Sequence, residues 1–480
     1  MEKLQNFING VYRAPIGGDY IDNYEPATGN VYSLIPDSDE RDVELAVEAA
    51  EKAFPIWSKM TTEERSKILV RLSEGIERRM DEFVQAESRD NGKPVSLAAH
   101  VDIPRSVSNF HFFATAITHF SSESHYMEGE GINYTLRKPI GIVGCISPWN
   151  LPLYLFSWKI APALAAGNCV IAKPSEVTPY TAYLLGKVAE EAGMPAGVLN
   201  ILHGLGHKVG DAIVKHKKIK AISFTGGTKT GEYLARTAAP MFKKLSLELG
   251  GKNPVIIFAD CDFEDMLTTT IRSSFSNQGQ ICLCGSRIFI ERSIYDKFKK
   301  AFVEKVDRMV VSNPTDPNSR MGALVSLPHL EKVLSYVELA KEEGGTVLTG
   351  GVKVQLEAPY NEGYYMRPTV IEGLAFDCRT NQEEIFGPVV TITPFDTEEE
   401  ALMMANSTEY GLQTTLWTSD LKRAHRVADQ AQSGIVWINS WMVRDLRTPF
   451  GGMKSSGVGR EGGLEALRFF TEPKNVFIKY

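Results

Sequence analysis

The sequence has few cysteines, and none has the spacing of a disulfide framework. Six cysteines occur in 480 residues, and no C-x-x-C pair is present. Small secreted domains that depend on disulfides are much richer in cysteine, so this class is excluded. We expect a reducing, cytoplasmic setting. The opening segment M-E-K-L-Q-N-F-I-N-G agrees with this, because it has neither an apolar signal core nor an Arg-rich transit pattern.

Long uninterrupted apolar runs and an excess of positive charge are also missing. The most apolar stretch, residues 140–167, contains three prolines, Asn150 and Lys159. These interruptions favour buried strands, turns and a helix over a membrane span. The formal net charge of −7 argues against nucleic acid or an anionic membrane as a main partner. A local pocket can still be basic and bind an anionic small molecule.

The length and the apolar pattern predict a multidomain α/β protein. A chain of 480 residues is too long for one core, so we expect two or three domains. Short buried strands alternate with helices, which indicates a parallel, doubly wound sheet. The predicted strands are 141–146, 169–172, 198–202, 220–224 and 254–258, and the predicted helices are 42–54, 62–90 and 178–192. Thr61 or Thr62 is the expected N-cap ahead of Glu64. The strand pattern restarts after Gly250-Gly251, which suggests a domain boundary there.

Two short segments point to a reaction. Residues 275–282 read F-S-N-Q-G-Q-I-C, and residues 246–251 read S-L-E-L-G-G, so Glu248 and Cys282 are 34 residues apart. Most free cysteines are small buried hydrophobes, and a carboxylate at a strand end is commonly a surface group. As a pair, however, a thiolate can capture a carbonyl and a carboxylate can activate the water that releases the product.

Both segments resemble the signature regions of the aldehyde dehydrogenase superfamily, and the resemblance covers nearly the whole chain. It implies that Cys282 is the nucleophile and that Glu248 deprotonates the hydrolytic water. It also implies that Asn150, in S-P-W-N-L-P, stabilises the oxyanion together with the backbone N–H of Cys282. Cys284 would be a packing residue or a redox neighbour of Cys282. We expect no metal site, because none of the nine histidines lies close to these cysteines in sequence.

The resemblance implies NAD as cofactor, although no G-x-G-x-x-G follows a first strand. Residues 224–231, F-T-G-G-T-K-T-G, are similar to the family turn F-T-G-S-T-x-x-G, in which a helix N-terminus faces the pyrophosphate. Gly227 replaces the usual serine. Lys173 and Glu176 match the positions that bind the adenosine ribose, and a carboxylate there disfavours the 2′-phosphate of NADP. The full set of implied cofactor-binding residues is Trp149, Lys173, Glu176, Gly226, Gly227, Thr228, Gly231, Leu249, Glu384 and Phe386.

Arginines in two segments suggest the substrate. Arg105 lies in V-D-I-P-R-S, and Arg444 and Arg447 lie in W-M-V-R-D-L-R. Most arginines are solvated surface cations, but the guanidinium binds carboxylates bidentately. The segments resemble the branch of the family that acts on muconic semialdehydes, in which Arg105 and Arg447 would hold the substrate carboxylate. The first expectation is 2-aminomuconate 6-semialdehyde. 2-Hydroxymuconate 6-semialdehyde and a broader aldehyde specificity stay open.

The resemblance also implies an architecture. A Rossmann-type NAD-binding domain would comprise residues 1–120 and 140–250, and an α/β catalytic domain residues 251–446. Residues 121–139 and 447–480 would form a β oligomerisation arm with the C-terminal strand. An unpaired strand edge would otherwise be exposed, so we expect a homodimer or homotetramer.

Three other functions compete with this prediction. A CoA-acylating dehydrogenase would keep the cysteine but transfer the acyl group to CoA, and the presence of Glu248 argues against it. A thiol hydrolase would need a histidine partner for Cys282 and no cofactor. A non-catalytic protein with this fold would not need Cys282, Glu248 and Asn150 together.

Overall fold

The computed structural model describes all residues from 1 to 480, and helices alternate with strands along most of the chain. The helices are Glu40–Trp57, Thr62–Arg78, Met80–Asn91, Val95–Leu97, Ile103–Ala116, Pro152–Ala165, Tyr180–Glu191, Asp211–Lys215, Thr228–Ala238, Phe263–Phe275, Arg292–Asp307, Leu327–Glu342, Arg379–Gln382, Glu398–Asn406, Leu421–Gln430 and Gly463–Phe469. None of them combines the length and the apolar composition needed to cross a membrane.

The first large sheet has eight strands, and its five central strands are parallel. Its order is Gly457–Val458, Lys244–Glu248, Ile219–Thr225, Ile142–Ile146, Cys169–Lys173, Leu199–Ile201, Asn6–Ile8 and Val11–Arg13. Strands that are buried on both faces are apolar throughout rather than alternating, which is why I-V-G-C-I and C-V-I-A could be recognised in the sequence. Helices cover both faces and enclose the largest core.

The second large sheet has seven strands and follows directly after Gly250-Gly251. Its order is Thr346–Thr349, Thr369–Glu372, Val389–Phe395, Gly285–Glu291, Asn253–Ile257, Gln413–Trp417 and Ile435–Ile438, and only the first of these strands is antiparallel to its neighbour. A separate antiparallel sheet consists of Thr471–Lys479, Gly131–Pro139 and Ser124–Met127. There are two smaller sheets. One has three strands, in the order Glu2–Lys3, Asn30–Pro36 and Tyr20–Glu25, and the other pairs Tyr410–Gly411 with Met453–Lys454.

The predicted α/β class is confirmed, and the local predictions differ from the structure in two places. The helix predicted over 62–90 is two helices, because Arg79 leaves the helical region with φ −111° and ψ 27°. Thr61 is the N-cap, with a reciprocal capping box to Glu64. Within the predicted arm segment 447–480, the strand Gly457–Val458 instead pairs with Lys244–Glu248 in the first large sheet.

The topology brings the segments singled out in the sequence together at the carboxyl ends of the parallel strands in the first sheet. Ile146, Lys173, Thr225 and Glu248 lie at the carboxyl ends of four parallel strands that are adjacent in register. Ligands of open α/β sheets bind outside these ends. The loops that follow the four strands carry Asn150 and half of the ten predicted cofactor residues.

Candidate active site

The loop that carries Cys282 is held by side chains that bind its carbonyl groups. Asn253 Nδ2 donates to the carbonyl oxygens of Cys282 at 2.6 Å and Cys284 at 2.9 Å. The carbonyl between them, that of Leu283, accepts from Gln413 Nε2 at 3.1 Å and Trp441 Nε1 at 2.9 Å. Three consecutive backbone carbonyls are therefore fixed, and the Cys282 side chain has a defined direction.

The turn before Cys282 has an unusual backbone. Asn277, Gln278 and Gly279 have φ values of 51°, 58° and 70°, all in the left-handed region. A side chain at Gly279 would meet the Gly387 carbonyl oxygen at 2.3 Å, so only glycine fits. Left-handed conformations at non-glycine residues persist only where surrounding contacts impose them, and they concentrate at functional sites.

The Cys282 thiol is neutral in the absence of a ligand. Burial is the largest effect and raises its pKa far above the ordinary value. The Glu248 carboxylate, and after it that of Glu384, raise the pKa further, whereas the Arg444 guanidinium lowers it. Because the thiolate is the nucleophile, the thiol must lose its proton on the way to reaction.

Glu248 is a buried carboxyl group that makes no side-chain hydrogen bond within the protein. Its side chain is 4% exposed, and Oε1 has no hydrogen-bond partner. Burial, and after it the nearby Glu461 carboxylate, raise its pKa well above the ordinary value. A carboxylate with a raised pKa can take up and release a proton near neutral pH, which is what a general base requires.

Behind Glu248 lies a buried ion pair. Lys159 Nζ is 2.7 Å from Glu461 Oε1, and Ser223 Oγ donates to the same carboxylate oxygen at 3.2 Å. Lys159 lowers the pKa of Glu248, while Glu461 raises it. The two opposing charges keep the Glu248 carboxyl group sensitive to small changes in its surroundings.

Asn150 lies in the same cavity as Cys282 and is 3% exposed. Its Nδ2 donates to the carbonyl oxygen of Gln280 at 2.9 Å, two residues before the cysteine. A carboxamide nitrogen carries two hydrogens, so this bond leaves one of them free. The arrangement suits a donor to an oxyanion formed on the carbon that Cys282 attacks.

A cavity of about 260 Å³ leads to Cys282 and Asn150 and contains most of the predicted cofactor residues. Its walls include Trp149, Gly226, Gly227, Leu249, Glu384 and Phe386. The Trp149 and Phe386 rings pack edge to face at 5.3 Å, and Glu384 Oε1 accepts from the backbone N–H of Gly251 at 2.8 Å. Thr225 Oγ1, also in the wall, is buried without a hydrogen-bond partner.

The glycines of the segment 224–231, of which Gly226 and Gly227 line the cavity, differ in the space around them. A methyl group on Gly226 would lie 2.4 Å from the Phe224 ring, and one on Gly231 would lie 2.4 Å from Leu249. These two positions need glycine for close packing. Nothing lies within 4 Å of a methyl group on Gly227, the N-cap of the helix Thr228–Ala238. The wall is thus a backbone surface at a helix N-terminus, which suits a phosphate group.

Lys173 and Glu176 do not line this cavity but lie next to it, at the end of the strand Cys169–Lys173. Lys173 Nζ is 3.0 Å from Glu176 Oε2. Burial is the largest single effect and works against ionisation of Glu176. The Lys173 ammonium, together with hydrogen bonds from the Glu176 backbone N–H and from Lys173, outweighs it, so the pKa of Glu176 lies below its usual value. Glu176 is therefore negatively charged at neutral pH.

The structure adds two residues that the sequence did not suggest, His329 and Lys332, both from the helix Leu327–Glu342. The His329 ring packs edge to face on Trp149 at 5.1 Å, and its Nε2 bonds the Phe386 carbonyl at 2.7 Å. Burial lowers the pKa of His329 to about 4. Since this ring nitrogen is already bonded elsewhere, His329 does not form the Cys–His pair of a thiol hydrolase. Neither residue belongs to a recognisable motif.

A second cavity, of about 900 Å³, contains Arg105, Arg444 and Arg447. Arg444 Nη1 donates to the Tyr154 hydroxyl at 2.7 Å, and the Arg105 guanidinium lies 5.7 Å from the centre of the Tyr154 ring. Arg444 also lies over the Phe450 ring at 4.0 Å. Arg105 and Arg444 thus converge on one buried tyrosine.

Arg447 has different surroundings. Its side chain is 80% exposed, and its Nη2 is 2.6 Å from Asp445 Oδ2. By contrast, the charge of Arg444 lowers the pKa values of both Cys282 and Glu248. Of the two arginines in this segment, Arg444 is the one whose charge acts on the reacting groups.

Comparisons with known proteins agree with this site. The family described as the aldehyde dehydrogenase family matches residues 12–476. The chain is 53% identical over 480 residues to 2-aminomuconic semialdehyde dehydrogenase of Mus musculus, covering 99% of the chain and 98% of that protein. It is 47% identical over 485 residues to 2-hydroxymuconic semialdehyde dehydrogenase of Pseudomonas sp. (strain CF600), covering 100% of both.

Solved structures give the same result. An aldehyde dehydrogenase from Bacillus cereus, solved as a complex with NAD+, superposes with a TM-score of 0.96 at 40% identity, covering 100% of this chain and 97% of that one. A family match and full-length relatives of this similarity are decisive: the chain belongs to the aldehyde dehydrogenase family.

Proposed function

We propose that the protein oxidises a semialdehyde that carries a carboxylate, using NAD and a thioester on Cys282. 2-Aminomuconate 6-semialdehyde is the first candidate substrate and 2-hydroxymuconate 6-semialdehyde the second, in the order of identity to the two relatives. The convergence of Arg105 and Arg444 on Tyr154 carries the proposal, because it places two guanidinium groups where a substrate carboxylate can be held.

The first step forms a covalent bond to the substrate. The Cys282 thiol transfers its proton to a water molecule, Sγ attacks the aldehyde carbon, and the carbonyl oxygen becomes an oxyanion. Asn150 Nδ2 and the backbone N–H of Cys282 stabilise that oxyanion. Removal of one such donor typically costs about 10²–10³ in rate, so Asn150 contributes strongly but less than the nucleophile.

The cavity beside Cys282 fits NAD. Its backbone wall at a helix N-terminus suits the pyrophosphate, and the free Thr225 hydroxyl offers a polar contact. Bound NAD supplies the hydride acceptor. Glu384 and Phe386 would hold the nicotinamide ribose and ring, and Lys173 and Glu176 the adenosine ribose.

The second step releases the product. Glu248 takes a proton from water, the resulting hydroxide attacks the thioester carbon, and the bond to Cys282 Sγ breaks. One aldehyde, one NAD and one water give one carboxylate, one NADH and two protons. The buried pair of Lys159 and Glu461 behind Glu248 balances its charge as it gains and loses the proton.

Arg105 and Arg444 hold the substrate carboxylate at the end opposite the aldehyde. Arg447 stays a predicted contributor, but its exposure and its bond to Asp445 leave it less available. Replacing Arg444 with alanine is expected to raise KM for a carboxylate-bearing semialdehyde about 10–100-fold, because a charge-assisted bond to substrate is lost. Arg447→Ala is the matched variant, with an expected change of about threefold or less. If Arg444→Ala and Arg447→Ala raised KM equally, the assignment of Arg444 rather than Arg447 as the main carboxylate-binding residue would be wrong.

A substrate panel tests the proposed function directly. NADH formation is measured with 2-aminomuconate semialdehyde generated in situ, 2-hydroxymuconate semialdehyde, hexanal and benzaldehyde. We expect both muconic semialdehydes to give a much higher kcat/KM than the uncharged aldehydes, and their ratio identifies the substrate. Equal or better turnover of hexanal would be consistent with an aldehyde dehydrogenase but would contradict the proposed binding of a substrate carboxylate by Arg105 and Arg444.

Gly227 offers a test of the cofactor site. Serine fits there without a clash and adds an N-cap hydroxyl close to the expected phosphate. Gly227→Ser is expected to lower Kd for NAD about 3–10-fold, the value of one further hydrogen bond. Gly226→Ala is the matched control, since its methyl group meets the Phe224 ring at 2.4 Å and should weaken binding. Fluorescence titration with NAD measures both, and weaker binding by Gly227→Ser would contradict the proposed phosphate position.

The antiparallel sheet Thr471–Lys479, Gly131–Pro139 and Ser124–Met127 supports an oligomer. It carries exposed apolar side chains, including Tyr126, Phe477 and Ile478. Exposed strands and apolar patches favour association with another chain. We expect sedimentation velocity to give the mass of a dimer or tetramer, and a species of 53.2 kDa would contradict this.

A further inference from the structure

Lys93 is completely buried between two carboxylates, away from the reacting groups. The side chains of Lys93, Asp102 and Glu87 are all 0% exposed. Lys93 Nζ is 2.7 Å from Asp102 Oδ2 and 3.6 Å from Glu87 Oε1. Buried ion pairs contribute little net stability, because desolvation of the charges offsets their attraction. A gain in fold stability therefore does not explain this cluster.

The cluster joins the elements around the loop Trp149-Asn150. Lys93 Nζ donates to the Asn150 carbonyl oxygen at 3.2 Å. Glu87 Oε2 accepts from the backbone N–H of Leu153 at 3.2 Å, in the first turn of the helix that follows the loop. That helix has no side-chain N-cap of its own, so Glu87 acts as the acceptor from a different helix.

The Asn150 carbonyl oxygen accepts three hydrogen bonds. Besides Lys93, Asn277 Nδ2 donates to it at 2.8 Å and Asn91 Nδ2 at 3.3 Å. The Asn150 side chain in turn donates to Gln280 O at 2.9 Å. These three donors hold the backbone at Asn150 in place, and the bond to Gln280 sets the direction of the side-chain amide on that backbone.

We propose that Lys93, through its ion pair with Asp102, is a positioning residue that holds Asn150 in the orientation needed to stabilise the oxyanion. Lys93 touches neither substrate nor cofactor and acts only through the Asn150 carbonyl. Asp102 ends the π-helical segment Ala98–Asp102, three residues before Arg105. The same ion pair therefore ties the helix that carries a substrate-binding arginine to the oxyanion donor.

The inference rests on the proposed role of Asn150. A double-mutant cycle distinguishes failure of the role inferred for Lys93 from failure of the role proposed for Asn150. The variant Lys93→Met/Asp102→Asn removes the ammonium together with its nearer carboxylate. Burial raises the pKa of the remaining Glu87 to about 8, which favours its neutral form. The variant is made in the wild-type background and in Asn150→Ala. The readout is the rate of the first NADH burst at saturating NAD, which reports formation of the thioester and not its hydrolysis. The exposed pair in Arg292→Met/Asp396→Asn, far from the site, is the matched control.

In the wild-type background, we expect the variant to slow the burst about 10–100-fold, the cost of misplacing one oxyanion donor. In Asn150→Ala, the same variant should change the burst less than about threefold, because residues that act as a unit are not additive. The same loss in both backgrounds would overturn the inference. A normal burst in Asn150→Ala alone would instead overturn the proposed role of Asn150.

A milder substitution covers the possibility that the double variant does not fold. Asp102→Asn removes one charge of the ion pair but leaves Lys93 beside Glu87 and keeps an acceptor for its Nζ, and the melting curve of this variant is compared with that of the wild type. It is measured in the same two backgrounds. A burst loss in the wild type that disappears in Asn150→Ala supports the inference, and equal losses contradict it.

Discussion

Replacing Cys282 with alanine is expected to abolish NADH formation, with a loss of about 10⁴–10⁶ in kcat, as for other catalytic nucleophiles. Cys282 is the only thiol that lines the cavity. His329 is bonded to the Phe386 carbonyl, and burial lowers its pKa to about 4. The measurement is NADH absorbance in a stopped-flow experiment, in which both the burst and the steady state should vanish.

Cys284→Ala is the matched control for this prediction. Cys284 lies two residues further on, is 6% exposed, and makes only a long bond from Sγ to Ser276 O at 3.9 Å. Its loss should leave the burst in place. If Cys284→Ala removed the burst and Cys282→Ala kept it, the nucleophile would be misassigned.

Replacing Glu248 with glutamine is expected to stop turnover after a single event at each site. The thioester forms, so a burst of about one NADH per site remains, but water is no longer activated. A general base contributes typically about 10²–10⁴ in rate, and we expect a steady-state loss of that size. If both the NADH burst and steady-state turnover were lost, Glu248 would act before the thioester forms. If the steady-state rate were unimpaired, Glu248 would have no role in the mechanism.

The raised pKa of Glu248 gives this step a pH dependence. The folded-state pKa lies well above the ordinary value, so the carboxyl group is protonated at low pH and becomes a base as the pH rises through that pKa. Hydrolysis should accelerate with pH in the wild type, whereas this acceleration should disappear in Glu248→Gln.

The sequence was sufficient for the fold class, the family and the cofactor. Strands such as I-V-G-C-I are buried on both faces and hence apolar throughout, so their pattern was visible. Asn150 and Gly226 follow strands of this kind and Glu248 ends one, and the parallel topology brings these adjacent carboxyl ends together. Family membership and the likeness to a Bacillus cereus enzyme solved with NAD+ confirm the predicted dehydrogenase and its cofactor.

The residues that the sequence missed come from distant segments and have no pattern of their own. His329 reaches the cofactor cavity from a helix nearly 50 residues after Cys282. Lys93 and Asp102 would read as surface charges, and only the packing of three helices shows them to be buried. The different surroundings of Arg444 and Arg447 depend on the bond to Tyr154 and the bond to Asp445, which spacing cannot predict.

The most direct test of the central claim is mass spectrometry of Glu248→Gln after it has been mixed with NAD and 2-hydroxymuconate semialdehyde. We expect one acyl group per chain, on the peptide that contains Cys282, formed together with one NADH and released by hydroxylamine. Formation of NADH without an acyl group on Cys282 would contradict the proposed mechanism.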